Sequence, residues 1–460
     1  MMDALYGRLL ARALFPAFEA ARGRPTVPLL RYLQSSEWRS PDELRDLQAG
    51  LLRRLLRHAV RHTEYYRQLL ADGGLSPEDF QSVDDLPRLP LLDRPTLRAS
   101  MISRTAVGGP AGVIRKTTSG SSGHPVEVLY NVESRHWRDA TRWRGYGWGG
   151  YRIGMRAMHY WGFVPSAGST WWKRRKTALD HWFKRDCYLD CTPRGEDALA
   201  AVVAQLRRFR PEVIVAYATG AGALARYVLD RGVRDWDPIP VLTGAEKLLP
   251  HDREAIERAF GPSFETYGCR EVMLMGSECE AHDGFHTSME NLIVELLVRE
   301  NGRVRAAEPG ETGEVAITDL HNLACPMIRY VNGDLAVARG DSRCSCGRGL
   351  VRVGPIEGRT TDTMFDGHGR EVGGLVFNIL FSTIGHVARS FQVVQRVDGS
   401  VVFKVVPFGG QRLPAREEAI LREHAARYLP GVPFAIQVVD DIPPGAAGKR
   451  RVVVVERRAR

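Results

Sequence analysis

The spacing of apolar residues changes several times along the chain, and each change marks an element. Residues 41–72 carry leucines and other apolar side chains at helical spacing, and the three prolines of DLPRLPLLDRPTLRAS then break the pattern. The expectation is a helical lead-in over about residues 1–100. It opens with an amphipathic helix in which Leu5, Leu9, Leu10, Leu14 and Phe18 are interspersed with Arg8 and Arg12. A hydroxyl- and glycine-rich loop follows, KTTSGSSGHPVEV from Lys116 to Val128. It runs into a strand in which Val126, Val128 and Tyr130 alternate with Glu127, Leu129 and Asn131. Next come a Trp-rich helix from Arg135 to Gly145, a strand in RAMHYWGFV, the basic stretch WWKRRKTALDHWFKR, and a helix in DALAAVVAQLRRF. PEVIVAYATG and PIPVLTGAE each run from a strand into a small-residue turn, with the helix GALARYVLDRG between them; such alternation builds a mostly parallel sheet. NLIVELLV, GETGEVAITDL and PMIRYVNGDLAV predict antiparallel strands of a second sheet. From about Gly358 the pattern is that of a separate unit. It has a helix in VGGLVFNILFSTIG, a hairpin around Asp398 and Gly399, a helix in AREEAILREHAARYL and a closing strand. The predicted fold is α/β: a large N-terminal domain, residues 1–358, of β-sheets flanked by helices, and a small α+β C-terminal domain, residues 359–460.

Composition narrows the function. A formal net charge of +10 over 460 residues suits an anionic ligand, but the cations are dispersed and accompany no nucleic-acid-binding module, so no nucleic acid partner is expected. No apolar run approaches the roughly 20 residues of a spanning helix, and the opening MMDALYGRLLARALFPAF lacks a small-residue cleavage site. A cytoplasmic protein is expected, its first helix packed on its own domain rather than on a membrane surface. Seven cysteines, an odd number, point to reduced thiols or a metal rather than a disulfide framework.

The loop suggests what the anion is. Thr117 to Gly123 combine short hydroxyl donors with glycines that let backbone approach closely, which suits a phosphate; the competing reading is a solvated Gly/Ser turn. It is not the GxxxxGK[ST] loop, because no lysine follows the second glycine and a strand comes next. Four further stretches stand in order behind it: TYGCREV with Glu271, IRYVNGDLA with Asp334, GPIEGRTTD with Arg359 and Asp362, and PPGAAGKRR with Lys449. In this order they resemble the adenylate-forming superfamily of acyl-CoA synthetases. HAVRHTEYYRQLL, DLPRLPLLDRPTLR and CSCGRGLVRVGPIEGRTTD narrow the resemblance to the phenylacetate-CoA ligase family and its CapK-like branch, over nearly the whole chain. His124, the pair Cys269 and Arg270, and Asn332 depart from the usual motif residues.

The resemblance implies that a carboxylate attacks the α-phosphate of ATP, and that the acyl group then passes from AMP to a thiol, CoA by default. An amine or hydroxyl acceptor is the alternative within the same chemistry. A zinc-stabilised protein that binds nucleotide or acyl groups without catalysis is the alternative outside it. By the same resemblance Thr118, Ser119, Gly120, Ser121, Ser122 and Gly123 hold the β- and γ-phosphates. Lys449, in a mobile C-terminal domain, holds the oxygens shared by acyl group and α-phosphate, and Glu271 is a Mg²⁺ ligand. The ring of Tyr267 and the backbone of Gly244, Ala245 and Glu246 sandwich adenine, while Asp334, with Arg359 nearby, binds the ribose hydroxyls. The resemblance also admits a homodimer.

Cys279 and His286, spaced C-x6-H, and the C-x-C pair Cys344 and Cys346 form an N/S set suited to a closed tetrahedral zinc site. Members of the resembled branch carry the same residues and some bind zinc there; His282 is the rival fourth ligand. Cys187, Cys191 and Cys325 fit as small apolar residues. For the acyl pocket the aromatic candidates are His159, Tyr160, Trp161, Phe163 and Tyr217, which favour a flat or apolar acid, core packing being the competing role.

Overall fold

In the computed structural model, residues 2–117, 127–162, 170–193, 195–300, 302–340, 343–359, 364–369, 371–372, 377, 384, 387–408, 412–443 and 452–456 are described. The loop residues Thr118 to Gly123, together with His124, Phe163, Asp362 and Lys449, lie outside the described residues, as does nearly all of the helix expected in VGGLVFNILFSTIG.

The lead-in is helical: α1 (Met2–Leu9), α2 (Phe15–Ala21), α3 (Thr26–Ser36), α4 (Pro41–His62), α5 (Glu64–Asp72), α6 (Arg94–Ala99) and α7 (Met101–Arg104). Helix α4 starts where the sequence says it must. Ser40 closes a capping box with Glu43, and Pro41 occupies the first turn, where its missing N–H costs nothing. Leu52, Leu55, Leu56 and Ala59 of α4 pack with Tyr66 and Leu70 of α5 against Ile293, Leu320 and Ile328.

A two-stranded ribbon, β1 (Ile114–Thr117) and β2 (Glu127–Tyr130), flanks the hydroxyl loop, and α8 (Val132–Trp148) follows it. Then come β3 (Ala157–Trp161), α9 (Trp171–Lys184), β4 (Asp186–Asp190), α10 (Glu196–Phe209), β5 (Val213–Tyr217), α11 (Ala218–Asp230), β6 (Val241–Gly244) and α12 (Pro250–Ala259). The antiparallel strands are β7 (Ser263–Cys269), β8 (Met273–Ser277), β9 (Phe285–Thr287), β10 (Leu292–Glu300), β11 (Arg303–Ala306), β12 (Thr312–Asp319), β13 (Tyr330–Ala338) and β14 (Arg352–Arg359). The second sheet expected from the sequence is not separate. All twelve strands form one sheet, in the order β11-β10-β12-β13-β14-β9-β8-β7-β6-β5-β3-β4. Strand β7 joins the halves because it pairs parallel to β6 on one edge and antiparallel to β8 on the other. One face of the parallel half buries Met158, Tyr160, Ile214 and Val241 under α10, α11 and α12. The other buries Val213, Val215, Leu242 and Phe264, with Trp143 and Tyr146 of α8 packed against them.

Helix α8 crosses the sheet with two arginines wholly inside the protein. Arg144 makes a bidentate pair with Glu290 at 2.6 and 3.0 Å, and Arg138 reaches Asp319 at 2.7 Å. Each buried cation has its carboxylate, the condition under which such burial is tolerated.

The remaining strands are a short ribbon of β15 (Met364–Phe365) and β16 (Glu371–Val372), and a four-stranded sheet of β17 (Ala388–Gln395), β18 (Val401–Pro407), β19 (Phe434–Val438) and β20 (Val453–Val455) in the order β19-β18-β17-β20. Helix α13 (Ala415–Tyr428) covers this sheet with Leu421 and Ala425. It has its own apolar core, which meets the large sheet's helices through Leu249 and through the His251 to Phe408 ring contact at 5.8 Å. Among the described residues no helix is long and apolar enough to cross a membrane.

Candidate active site

The motif residues lie at the end of β6, on β7 and the turn after it, and within β13. Gly244 closes β6, where a Cβ would stand 2.7 Å from the Thr266 hydroxyl and would have to displace that side chain. Ala245 follows at φ +68, a left-handed conformation rare outside glycine and characteristic of functional turns. Glu246 fixes this turn by accepting from the Thr219 hydroxyl at 2.6 Å and from its backbone N–H at 3.2 Å.

Tyr267 leaves β7 into the core beside Phe285, and its hydroxyl donates to Asp334 Oδ2 at 3.0 Å. Burial, reinforced by the Asp334 charge, pushes the Tyr267 phenol well above its ordinary range, so it remains a donor. The Asn332 side-chain amide donates to the same Asp334 oxygen at 2.8 Å and to the Tyr267 hydroxyl at 3.2 Å, while its Oδ1 accepts from the Asp334 N–H at 2.9 Å. Asp334 faces Arg359 across the β13–β14 ladder as its Cα partner; the Arg359 side chain lies outside the described residues.

Glu271 sits in the turn between β7 and β8 and is 3% exposed. Its Oε1 accepts from the Tyr330 hydroxyl at 3.1 Å and faces the Arg94 guanidinium at 3.8 Å. Arg94, at the start of α6, also donates to the Asn332 carbonyl at 3.3 Å. Glu271 and Asp334 therefore belong to one network with Tyr267, Tyr330, Asn332 and Arg94. The sequence motifs supplied the two carboxylates and Tyr267. Arg94 and Tyr330 were missed as site residues, although both lie in segments that carry the family resemblance or the strand pattern.

At the foot of the hydroxyl loop, Lys116 lies over the Tyr130 ring at 5.3 Å. Burial, with the fields of Arg138 and Arg270, lowers its pKa. Arg270 is exposed and makes no ion pair among the described residues.

The aromatic candidates separate. His159 and Tyr160 point to opposite faces of β3. Tyr160 belongs to the core under α11, whereas His159 stacks on Tyr188 at 4.3 Å and lines a cavity of about 230 Å³. Trp161 ends the strand edge-on to Tyr217 at 4.4 Å, with its ring 3.7 Å from where a Cβ on Gly244 would stand. The cavity thus lies one strand repeat behind the Gly244 turn, on the face covered by α8. Polar groups line it, including Arg142, Asp139 and Asp186. The Arg142 guanidinium lies 5.5 Å from the Trp143 ring and has no ion pair or hydrogen bond among the described residues.

The cysteines form a second cluster. Cys279, His286, Cys344 and Cys346 bring their ligand atoms within 4.8 Å of one another. Cys279 Sγ and Cys344 Sγ are 3.7 Å apart, and Cys346 Sγ is 3.3 Å from His286 Nε2. His286 Nδ1 bonds the Leu350 carbonyl at 3.0 Å, which assigns the proton to Nδ1 and leaves the Nε2 lone pair facing the sulfurs. Burial lowers the His286 pKa to about 4, keeping the ring neutral as a ligand must be. Three cysteine thiols and one oriented imidazole fit a tetrahedral zinc ion. His282, the rival, lies elsewhere: its ring stacks on Phe264 at 5.0 Å and bonds Glu278 at 3.3 Å. Of the other cysteines, Cys191 and Cys325 are buried and Cys187 is half-buried.

No family model matches the chain. The phenylacetate-coenzyme A ligase of Thermus thermophilus is 28% identical over 367 residues, covering 78% of this chain and 80% of that protein. Protein CapK of Staphylococcus aureus is 22% identical over 436 residues, 92% of each chain. Among solved structures, a 2-hydroxyisobutyryl-CoA ligase in its postadenylation state with R3-HIB-AMP superposes with a TM-score of 0.68 at 18% identity, over 92% of this chain and 91% of the other. The chain is thus related in sequence to phenylacetate-coenzyme A ligases and to CapK, and its fold is that of the adenylate-forming CoA ligases.

Proposed function

We propose that this protein is an AMP-forming ligase that activates a carboxylic acid with ATP and passes the acyl group to CoA. A carboxylate oxygen attacks the α-phosphorus and the bond to pyrophosphate breaks; the CoA thiolate then attacks the acyl carbonyl and AMP departs. The observation that carries this reading is the joining of Glu271 and Asp334, from separate motifs, in one buried network beside the Gly244 turn. Sequence kinship with proteins named phenylacetate-coenzyme A ligase supports the same chemistry.

In this reading Asp334, its Oδ2 oriented by Tyr267 and Asn332, accepts from the ribose hydroxyls with Arg359 alongside, and the Gly244–Ala245–Glu246 backbone and the Tyr267 ring border adenine. Thr118 to Gly123 donate to the β- and γ-phosphates, with Lys116 and Arg270 supplying positive charge at the loop's foot. Glu271 is the protein's carboxylate for Mg²⁺, an ion that takes few protein ligands beside substrate phosphates and offsets their charge. Residues 359–460 act as a mobile cap that delivers Lys449 to the oxygens being joined. Cys279, His286, Cys344 and Cys346 hold a structural zinc ion, since four protein donors leave no open position.

The cavity behind Trp161 receives the far end of the acid. The half-buried Arg142 guanidinium, which makes no ion pair or hydrogen bond among the described residues, disfavours a purely apolar occupant, so the acid carries an acceptor group that faces Arg142. Acid-dependent exchange of labelled pyrophosphate into ATP, over aryl acids with and without polar substituents, tests both points. No exchange with any acid overturns the ligase reading. Preference for unsubstituted acids, or an unchanged ranking in Arg142→Met, overturns the polar pocket alone.

A further inference from the structure

Helix α9 buries nothing. All fourteen of its residues remain at least partly accessible, although it carries three tryptophans and a leucine. Trp171, Trp172, Leu179 and Trp182 are 55%, 73%, 65% and 70% exposed. At 100° per residue these four fall within about one third of the helix circumference, a single apolar stripe. Aromatic side chains carry about 150–250 Å² each, so the exposed tryptophan surface alone reaches several hundred Å², the size at which an apolar patch on a monomer signals an interaction. The stripe continues onto α1. Tyr6 packs on Trp182 at 6.3 Å, and Leu5 and Leu9 beside it are 60% and 49% exposed.

The charge around the stripe has one sign. Lys173, Arg174, Arg175 and Lys176 are exposed and make no ion pair among the described residues, as are Arg8 and Arg12 of the N-terminal helical segment. The one acid of α9, Asp180, is paired with Lys184 at 2.7 Å, and Asp3 of α1 is paired with Arg185 at 2.7 Å. The Arg175 guanidinium lies over the Trp171 ring at 4.7 Å, a cation resting on the apolar face as at a headgroup boundary. Helix α9 follows β3 and flanks the edge strand β4, and none of its residues is buried by the other described residues.

We propose that α9 and the adjoining face of α1 form a membrane-docking surface that seats this protein on an anionic lipid bilayer, with the tryptophans at headgroup depth and the cations on lipid phosphates. Tryptophan is the side chain that favours this boundary, since its ring is apolar and its N–H is wet, and a ring of unpaired cations complements anionic lipid rather than an apolar protein face. The inference does not depend on the ligase reading.

Co-sedimentation with phosphatidylcholine vesicles, with and without phosphatidylglycerol, tests it. The wild-type chain is expected to partition onto the anionic vesicles and to leave them as salt rises. Trp172→Glu combined with Leu179→Glu is expected to lower partitioning at least about tenfold, with an unchanged melting curve, because neither side chain is buried. Removing cations through Lys173→Ala and Arg174→Ala is expected to cost about fivefold each, and these exposed substitutions carry the test should the apolar variant fold poorly. Retention of the wild type in the supernatant, equal binding to neutral vesicles, or unchanged binding by both variants overturns the proposal. So does a dimer in light scattering that the Trp172→Glu and Leu179→Glu variant dissociates, which would assign the patch to a second copy.

Discussion

The Glu271–Asp334 network and the Cys279–His286–Cys344–Cys346 cluster grow from neighbouring strands of one sheet, but they spend their donors differently. In the first, neutral hydroxyls and an amide orient two carboxylates, and Glu271 Oε2 keeps no hydrogen bond among the described residues. In the second, every ligand atom points inward at its three partners, and the outer groups are bound to backbone, as His286 is to Leu350 and Cys279 Sγ is to the Ala281 N–H at 3.4 Å. A site held open in this way suits exchange of ligands, and a site closed on itself suits permanence. The contrast predicts that the two clusters respond to opposite measurements.

The strongest break comes from outside both. Lys449→Ala is expected to lower adenylation by roughly 10²-fold or more, a few kcal/mol of transition-state stabilisation, with ATP affinity nearly unchanged. Single-turnover pyrophosphate release checks this, and a near wild-type rate would remove Lys449 from the reaction. Glu271→Gln should lower exchange about tenfold or more and raise the Mg²⁺ concentration needed for half-maximal rate, while the melting temperature moves little. Cys346→Ser should do the reverse. It is expected to lose about one zinc per chain and about 5–10 °C of melting temperature, with exchange per folded molecule within about twofold of wild type. His282→Ala should change neither, and elemental analysis reporting a zinc-free wild type would end the zinc assignment.

A smaller effect separates the regions by pH. Burial raises the Glu265 carboxyl to about 7, with Glu278 adding to the shift, although Leu248 N–H bonds it at 3.0 Å. Between its ordinary value and about 7 the folded chain holds a proton that the unfolded chain has released, so this group's contribution to stability falls as pH rises through that window. Glu265→Gln keeps the acceptor for Leu248 and removes the titration. Its melting temperature should exceed that of wild type by a few degrees at pH 8, with the gap closing at pH 5; an equal gap at both would be evidence against a protonated Glu265.

Much of this organisation was legible in the sequence, for a physical reason. Helices α4 and α13 each bury one face, and burial imposes their helical period, whereas strands β12, β13 and β18 are buried over most of their length and stand out as apolar runs between turn residues. Helix α9 reads in sequence only as a basic stretch because it buries no face. The single sheet reads as two in sequence because its continuity rests on the two edges of β7, and pairing direction leaves no trace in hydrophobic period. Arg94 and Tyr330 escaped for a related reason. Each looks like an ordinary helix-start or strand residue until folding sets it against Glu271. His286 and His282 both satisfy the spacing, and only folding sets His286 among the sulfurs and His282 against Phe264 and Glu278.

The C-terminal end of α3 is held by residues from much later in the chain. Ser36 bonds Glu290, 254 positions later, and Glu37 receives Arg348 at 3.1 Å, 311 positions later. During synthesis at about 5–20 residues per second, the first helices leave the ribosome roughly 15–60 s before these partners exist. The end of α3 therefore waits for partners made long after it, and until then the leucine-rich faces of α3 and α4 are clients for chaperones.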